Sequence, residues 1–287
     1  MCHPNPQRVT SWLDVCPVGA GEQMLGLQGK VAFVFGVASE DSIAWAICEK
    51  LAEAGVTLYL GFQKRFMSRV YQLKEKLPQI AGMYPLDVAS DELTGEFFSA
   101  FAAENPGLKA DILIHAIGFA PRECFDRPIL FVEDEKINAA MTISANSLQR
   151  CLRHALPHLN LGSSTITLTY AASTRYVPSY GIMSMAKAAL ECWTRELSCH
   201  LGPEGHRINS ISSGPIPTLA AAGIPGFDKI LDHVAANSPL RRNVTQDDVA
   251  GTALWLASNL SSGVTGQCIH VDAGFSITMV PQSIMDP

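Results

Sequence analysis

The chain has 287 residues, of which 47% are hydrophobic and 17% charged, so it is long enough to bury a sizeable core as one large domain or two small ones. Its net charge of −6 and the absence of a basic block exclude a duplex nucleic-acid surface, which needs clustered Lys and Arg. No apolar run reaches the roughly 18 residues of a membrane span, and residues 1–26 lack the basic and apolar regions of a signal peptide, so the sequence predicts a cytoplasmic protein with no membrane partner.

The first 26 residues differ from the rest of the chain, because prolines at 4, 6 and 17 and glycines at 19 and 21 make them a poor core segment. We predict a loosely ordered N-terminal extension over residues 1–26 and one NAD(P)-binding domain over 27–287. The eight cysteines are scattered without CxxC spacing, which favours reduced, buried thiols over a zinc site or disulfides. We therefore predict no metal.

From residue 29 onward, short β-branched segments alternate with helical patterns. This alternation predicts an α/β fold: a single-domain, Rossmann-like, doubly wound parallel sheet of about seven strands with helices on both faces. The first helix is predicted from Ser42, as N-cap, to a stop at Gly55. Strands are predicted at 31–35, 57–62, 82–86, 111–118, 164–170, 206–212 and 267–271, and further helices at 91–105, 133–158, 179–201 and 245–259.

The turn after the first strand, "GVASEDSIA" (36–44), stands where such folds bind the pyrophosphate of a dinucleotide. Gly36 is its only glycine, so a search for GxGxxG would miss it. Ala38 and Ser39 are small enough for close approach, and the Ser42 hydroxyl lies within reach of a phosphate. An ordinary strand-to-helix turn is the alternative interpretation.

Three later strand ends support a dinucleotide, because ligands of open α/β sheets bind beyond the carboxyl ends of the strands. Asp87 and Val88 in "LDV" are placed to hold an adenine. The segments "HAIG" (115–118), which ends in Gly118, and "SGPIPT" (213–218) provide backbone on which a ribose or nicotinamide can lie. Four such turns in the same relative position favour a nicotinamide cofactor.

The second strand leaves the identity of that cofactor open. NAD sites often place a carboxylate at this strand end, but here Gln63 occupies the position. Lys64 and Arg65 follow, and they either pair with the 2′-phosphate of NADPH or are ordinary solvated cations. NADH and NADPH both remain possible.

A tyrosine and a lysine in "TYAASTRYVPSYGIMSMAK" (169–187) are the candidate catalytic pair. If 179–201 is helical, Tyr180 and Lys187 lie two turns apart and project within ~20° of each other. Tyr170 ends the preceding strand and is predicted to point into the same cleft. A lysine beside a ribose holds the sugar hydroxyls and favours a hydrogen-bonding phenol nearby. A Tyr–Lys pair on the edge of an amphipathic helix is the structural alternative.

Together these residues resemble the short-chain dehydrogenase/reductases and, within them, the bacterial enoyl-acyl carrier protein reductases of the FabI type, from about residue 27 to 279. The resemblance is carried by "GVASEDSIAWAI", "HAIGFAP", the arrangement of Tyr170, Tyr180 and Lys187, "GPEGHRINSISSGPIPTLAAAGI" and "VDAGFSI". Carbonyl reductases of this superfamily have a Tyr-x3-Lys pair, but Met183 stands four residues before Lys187. The spacing therefore resembles the Tyr-x6-Lys arrangement of the enoyl reductases.

The resemblance implies reduction of a trans-2-enoyl thioester, on an acyl carrier protein or coenzyme A, in fatty-acid or polyketide-type biosynthesis by a homotetramer. It assigns Tyr180 as donor to the thioester oxygen and Lys187 as ribose ligand. It places Tyr170 against the acyl chain or in an orienting role, and it implies a mobile loop at 219–227. Substrate contacts are predicted at Ala120, Tyr170, Met183 and Phe227. Cofactor contacts are implied at Gly36, Ser42, Ile43, Gln63, Asp87, Val88, Ile117, Lys187, Ile216, Thr218, Leu219 and Ala220, and the residue patterns above add Lys64 and Gly118.

Several positions depart from the family pattern. Phe35 replaces a smaller residue and Pro217 an often basic one, so both are expected to reshape the cofactor end. Pro225 and Asp228 stand where members that dock acidic carrier proteins have Lys or Arg, which suggests a specialised thioester. Two alternatives stay open: a short-chain carbonyl reductase, and a non-catalytic dinucleotide-sensing regulator of the same fold.

Overall fold

A single parallel sheet organises the chain. The computed structural model describes residues 24–219 and 221–280, and its seven strands lie in the order β3-β2-β1-β4-β5-β6-β7. The predicted Rossmann-like fold is confirmed. The strands are β1 (Val31–Phe35), β2 (Thr57–Phe62), β3 (Ile80–Pro85), β4 (Ala110–His115), β5 (Leu159–Thr169), β6 (Arg207–Ser213) and β7 (Cys268–Val271).

Helices cover both faces of the sheet. They are α1 (Ile43–Glu53), α2 (Met67–Lys74), α3 (Asp91–Glu104), α4 (Glu123–Asp126), α5 (Asp134–Met141), α6 (Ser147–Ala155), α7 (Ile182–Leu201), α8 (Phe227–Asn237) and α9 (Gln246–Ala257). The two faces carry separate cores, which β1 shows clearly. Ala32 and Val34 pack into the core that includes α1 and α9, whereas Phe33 and Phe35 pack into the core that includes α3 and α6. A strand buried on both faces reads as a continuous apolar run, as "VAFVF" does.

Two helical predictions need correction. The predicted helix over 133–158 is interrupted by a π-helical turn, Thr142–Asn146, between α5 and α6. The predicted helix over 179–201 begins only at Ile182. The helices α2, α4 and α8 were not predicted. The helix α4 is a single turn of four residues, and α2 and α8 each bury only two residues. By contrast, Ser42 caps α1, and Gly55 follows its end with a φ of 78°, both as predicted.

The predicted extension over residues 1–26 lies outside the described residues except for 24–26. Within those three, Leu25 packs against the core on the α1 face of the sheet. Of the helices in 24–219 and 221–280, none combines the length and apolar character that crossing a bilayer requires.

Phe35 does not reshape the cofactor end of the sheet, contrary to the sequence expectation. Its side chain is fully buried and its ring packs edge-on against Phe97, with centroids 5.0 Å apart. Gly61 of the neighbouring strand provides the space, since a Cβ there would lie 2.7 Å from the Phe35 ring and 2.7 Å from Leu86. The larger aromatic residue is therefore accommodated within the core.

We predict that Gly61→Ala lowers the free energy of unfolding by about 1–3 kcal/mol, because a methyl group inserted between Phe35 and Leu86 overpacks the core. Denaturant unfolding measures the change. Gly251→Ala is the matched control: this glycine lies in α9 with open space at its Cβ, and alanine there should stabilise the helix by up to ~1 kcal/mol. Equal stability changes in both variants would contradict the packing argument.

Candidate active site

The turn after β1 is pressed against the end of β4. Gly36 has a φ of 106°, and a Cβ at this position would lie 2.0 Å from the carbonyl oxygen of Ala116. The Ala116 N–H donates to the Phe35 carbonyl at 2.9 Å. Only glycine fits both the backbone conformation and the contact. The single glycine of the turn therefore stands where a close backbone approach requires it.

The N-terminus of α1 opens onto the same edge of the sheet. The Ser42 hydroxyl accepts from the Trp45 N–H at 3.2 Å and donates to the Ser39 carbonyl at 2.7 Å. The Ser39 hydroxyl is buried, and no hydrogen-bond partner for it is found among the described residues. The first turn of α1 carries no acidic residue, while Glu40, which pairs with Lys76, and Asp41 precede the N-cap Ser42. These features fit an anionic phosphate group.

Basic and aromatic side chains border the neighbouring strand ends. Gln63 precedes a short 3-10 helix, Lys64–Phe66. The Arg65 guanidinium carbon lies 4.8 Å from the centroid of the Phe66 ring and 5.7 Å from that of Phe119. Because Phe119 follows β4, Arg65 bridges the ends of β2 and β4. A cation is thus held over the region predicted for the adenosine half of the cofactor.

The predicted adenine contacts lie at the end of β3. The Asp87 carboxylate accepts from the Ala89 N–H at 3.0 Å, Val88 is buried, and its carbonyl accepts from the Arg150 guanidinium. On the other side of the crevice, Ile216 is buried and Leu219 is half-exposed. Ala220 lies outside the described residues.

The last residues of β5 hold the catalytic candidates together. The Lys187 ammonium of α7 donates to the Leu168 carbonyl at 2.8 Å, and the Thr169 hydroxyl donates to the Glu191 carboxylate at 2.7 Å. The Tyr170 and Tyr180 rings lie 5.0 Å apart, centroid to centroid. A Cβ on Gly118 would lie 3.7 Å from the Lys187 nitrogen, so this ammonium also borders the end of β4.

Tyr180 does not stand on the same helix as Lys187, and the two-turn geometry predicted from the sequence is wrong. Between Tyr180 and α7 lies Gly181, with φ 51° and ψ −129°, and Ser179 before it has a φ of 62°. A Cβ on Gly181 would lie 2.3 Å from the carbonyl oxygen of Cys124. The orientation of the Tyr180 phenol is therefore set by the turn around Ser179 and Gly181 and not by helical periodicity.

That turn nevertheless places Tyr180 in an apolar cluster that includes three of the four predicted substrate contacts. We call this the acyl-side cluster: Ala172, Tyr180, Met183 and Ala186, with Ala120, Phe125, Met141, Tyr170, Val177 and Ile224 packed against it. Of the substrate residues predicted from the sequence, it contains Ala120, Tyr170 and Met183. Phe227 instead begins α8, and the described contact from this loop is made by Ile224.

Burial controls the ionisation of the site. It raises the pKa of Tyr180, with a smaller contribution from Tyr170, so this phenol is protonated at neutral pH. Burial lowers the pKa of Lys187 to about 8, and Glu191 opposes part of that shift. His115 lies beneath the site, hydrogen-bonded to Thr167 and Ser147, and burial together with Lys187 lowers its pKa to about 3. At neutral pH the imidazole is therefore uncharged.

Sequence reasoning missed three polar residues of this site. Ser144, in the π-helical turn, donates to the Phe119 carbonyl at 2.7 Å and accepts from the Phe119 N–H at 2.8 Å. Thr169 and Glu191 form the second link between β5 and α7. The one signal in the sequence was the carboxylate at Glu191, a charge within the apolar stripe of α7, where burial requires a partner.

A doubly wound sheet with a dinucleotide turn at its carboxyl edge and a buried Tyr–Lys arrangement beyond β5 defines an oxidoreductase of the short-chain dehydrogenase/reductase superfamily. The family model described as enoyl-(acyl carrier protein) reductase matches residues 36–276. The chain thus belongs to the enoyl-(acyl carrier protein) reductase family.

Individual relatives agree with this assignment. Enoyl-(acyl-carrier-protein) reductase (NADH) FabI of Synechocystis sp. is 43% identical over 258 residues, which cover 88% of this chain and 99% of that protein. The crystal structure of the Bacillus cereus reductase with NADP+ and an indole naphthyridinone has a TM-score of 0.85 at 38% identity, covering 88% of this chain and 99% of that one. The Anaplasma phagocytophilum reductase in complex with NAD has a TM-score of 0.84 at 34% identity, covering 90% and 97%.

Proposed function

We propose that the protein reduces the trans-2 double bond of an enoyl thioester, carried by acyl carrier protein or coenzyme A, with NADH or NADPH, in fatty-acid biosynthesis. The observation that carries this proposal is the buried, protonated phenol of Tyr180 in the acyl-side cluster, next to the strand end that binds Lys187. A carbonyl reductase would place its phenol four residues before the lysine, where this chain has Met183.

Each residue of the site has a role in this reaction. When bound, the nicotinamide cofactor supplies the hydride. Tyr180 donates a hydrogen bond to the thioester oxygen, where negative charge develops as the double bond is reduced. Lys187, held by the Leu168 carbonyl, binds the ribose hydroxyls. Tyr170 packs against the Tyr180 ring and orients it.

The cofactor and the acyl chain have separate binding surfaces in this proposal. Gly36, Ser42 and the N-terminus of α1 hold the phosphates, and Asp87 and Val88 hold the adenine. The acyl-side cluster excludes water from the reacting bond and strengthens each polar interaction there. Ile224 packs against this cluster, which supports segment 219–227 as a loop that closes over the acyl chain.

The carrier, the assembly and the compartment complete the proposal. Pro225, just before α8, and Asp228 and Lys229, in its first turn, are exposed, where a carrier protein would approach the loop. One cation next to one carboxylate gives weak attraction for an acidic carrier, so we expect kcat/KM for a carrier-bound substrate to be only slightly higher than for its coenzyme A analogue.

We further propose that the protein is a cytoplasmic homotetramer. Size-exclusion chromatography with light scattering tests the oligomeric state.

The decisive assay is the spectrophotometric oxidation of NADH and NADPH in parallel, with crotonyl-coenzyme A and with a carrier-bound enoyl chain. Turnover of an enoyl thioester, but not of a 3-ketoacyl thioester, is the expected result. The reverse preference would identify a carbonyl reductase. Cofactor binding in calorimetry without oxidation of either nucleotide would instead identify a dinucleotide sensor.

We predict that Arg65 sets the affinity for NADPH. Replacing it with glutamine should weaken NADPH binding about tenfold, because a charge-assisted bond to the 2′-phosphate is lost, and should change NADH binding less than twofold. Arg69→Gln is the control, since this exposed arginine lies on α2, beyond the turn. Equal effects of Arg65→Gln on both nucleotides, measured by fluorescence titration, would contradict the assignment.

A further inference from the structure

Glu191 is a buried carboxylate that the proposed chemistry does not use. It lies one helical turn after Lys187 on α7, and the two residues are 8% and 7% exposed. Residues four apart share a face of a helix, so both side chains point toward the sheet. A buried carboxylate needs charged or hydrogen-bonding partners to offset its desolvation. The partners found here lie at the end of β5 and on β7.

The last two residues of β5 and the residue that follows them connect this carboxylate to the candidate catalytic groups. Leu168 accepts from Lys187, Thr169 donates to Glu191, and Tyr170 packs against Tyr180. Two hydrogen bonds from neighbouring residues of one strand thus fix α7 at two successive turns. Glu191 is thus connected to both Lys187 and Tyr170 through this short segment.

The other ionisable groups around Lys187 are neutral at the pH of the reaction. On β4, His115 has a pKa lowered to about 3, by burial first and then by Lys187. Burial raises the pKa of Tyr170 and of Tyr180. On β7, burial raises the pKa of the Cys268 thiol to about 11, with Glu191 adding to the shift.

One further cation completes these surroundings. Arg195, one turn beyond Glu191, is exposed, and its positive charge lowers the pKa of the Cys268 thiol and so opposes part of the effect of burial. The charge that opposes the desolvation of Lys187 is that of Glu191.

We propose that Glu191 is a positioning residue: its hydrogen bond with Thr169 fixes the strand end that orients Lys187 and Tyr170, and its carboxylate provides a negative charge one helical turn from the buried Lys187 ammonium. This inference rests on the proposed function, in which Lys187 binds the cofactor ribose. Removing the negative charge favours the neutral amine, so Lys187 loses its proton at a lower pH. The decrease of NADH affinity and of kcat/KM at high pH, which follows the loss of the Lys187 proton, is then expected at a lower pH.

Glu191→Gln, Thr169→Val and the control Glu196→Gln test this role. Glu196 is an exposed glutamate on the same helix. For Glu191→Gln we expect the basic limb of NADH affinity, and of kcat/KM for the enoyl thioester, to move about one pH unit lower. Thr169→Val keeps the carboxylate, so its limb should stay in place while kcat/KM falls several-fold at all pH values. Glu196→Gln should match the wild type.

An unchanged basic limb in Glu191→Gln, relative to Glu196→Gln, would overturn the proposal. If Glu191→Gln does not fold, as judged by circular dichroism, Glu191→Asp replaces it. This variant withdraws the carboxylate by one methylene and should move the limb in the same direction by a smaller amount, and no movement would overturn the proposal. If the wild type turns over no enoyl thioester, the proposed function fails, whereas the pH dependence of NADH binding still tests Glu191 separately.

Discussion

Replacing Tyr180 with phenylalanine is expected to lower kcat about 100- to 1,000-fold, because the thioester oxygen loses the hydrogen-bond donor that stabilises its developing charge. The ring remains in the acyl-side cluster, so folding and cofactor affinity should stay within about twofold of the wild type. Steady-state oxidation of NADH or NADPH with crotonyl-coenzyme A measures the first effect, and fluorescence titration measures the second.

Tyr176→Phe is the matched control, since Tyr176 lies in the same segment but is 90% exposed. It should behave as the wild type. A Tyr180→Phe variant with unaltered kcat would remove Tyr180 from the reaction and would favour Tyr170, whose ring contacts it, as the donor.

Replacing Lys187 with alanine is expected to weaken NADH binding about 10- to 100-fold, the cost of losing a buried hydrogen bond from a charged group. Because the pKa of Lys187 is lowered to about 8, wild-type affinity should be full below pH 8 and fall as the pH rises through that value and the ammonium loses its proton. The variant lacks this group, so its affinity should stay low and vary little across the same range. Fluorescence titrations between pH 6.5 and 9.5, about 1.5 units on either side of that pKa, measure both effects.

Lys50→Ala, on the exposed side of α1, serves as control and should keep the wild-type profile. A Lys187→Ala variant that retained the pH-dependent loss of affinity would assign that titration to another group. Together, the Tyr180 and Lys187 variants distinguish an enzyme from a sensor. In both classes Lys187→Ala weakens cofactor binding, but a sensor catalyses no reaction, so Tyr180→Phe lowers a turnover rate only in an enzyme.

Local signals in the sequence were sufficient for the sheet and for the turn after β1. The run "VAFVF" forms a strand buried on both faces, Ser42 caps α1, and Gly55 follows its end with positive φ. Each of these depends on the residue itself and its immediate neighbours, through burial, capping or backbone freedom. Gly36 is different, because the atom that excludes a Cβ there is the Ala116 carbonyl oxygen, beyond the end of the adjacent strand β4.

Tertiary contacts decided how the catalytic groups meet. Helical spacing predicted Tyr180 on α7, but Gly181 adopts a non-helical conformation against the Cys124 carbonyl, and no periodicity encodes that contact. Phe35 was expected to alter the cofactor end, yet its direction depends on the space left by Gly61, a residue 26 positions later on another strand.

By itself, the sequence of this protein determined the order of the seven strands. It also predicted the turn after β1 as a dinucleotide site and Tyr180 and Lys187 as the candidate catalytic pair, because each prediction follows from residue type and short-range spacing. Only the tertiary structure decided that a turn directs the phenol and that Glu191, hydrogen-bonded to Thr169, is buried one helical turn from Lys187. Those relations join residues far apart in the chain, and their energies depend on burial and distance, which exist only after the sheet has formed.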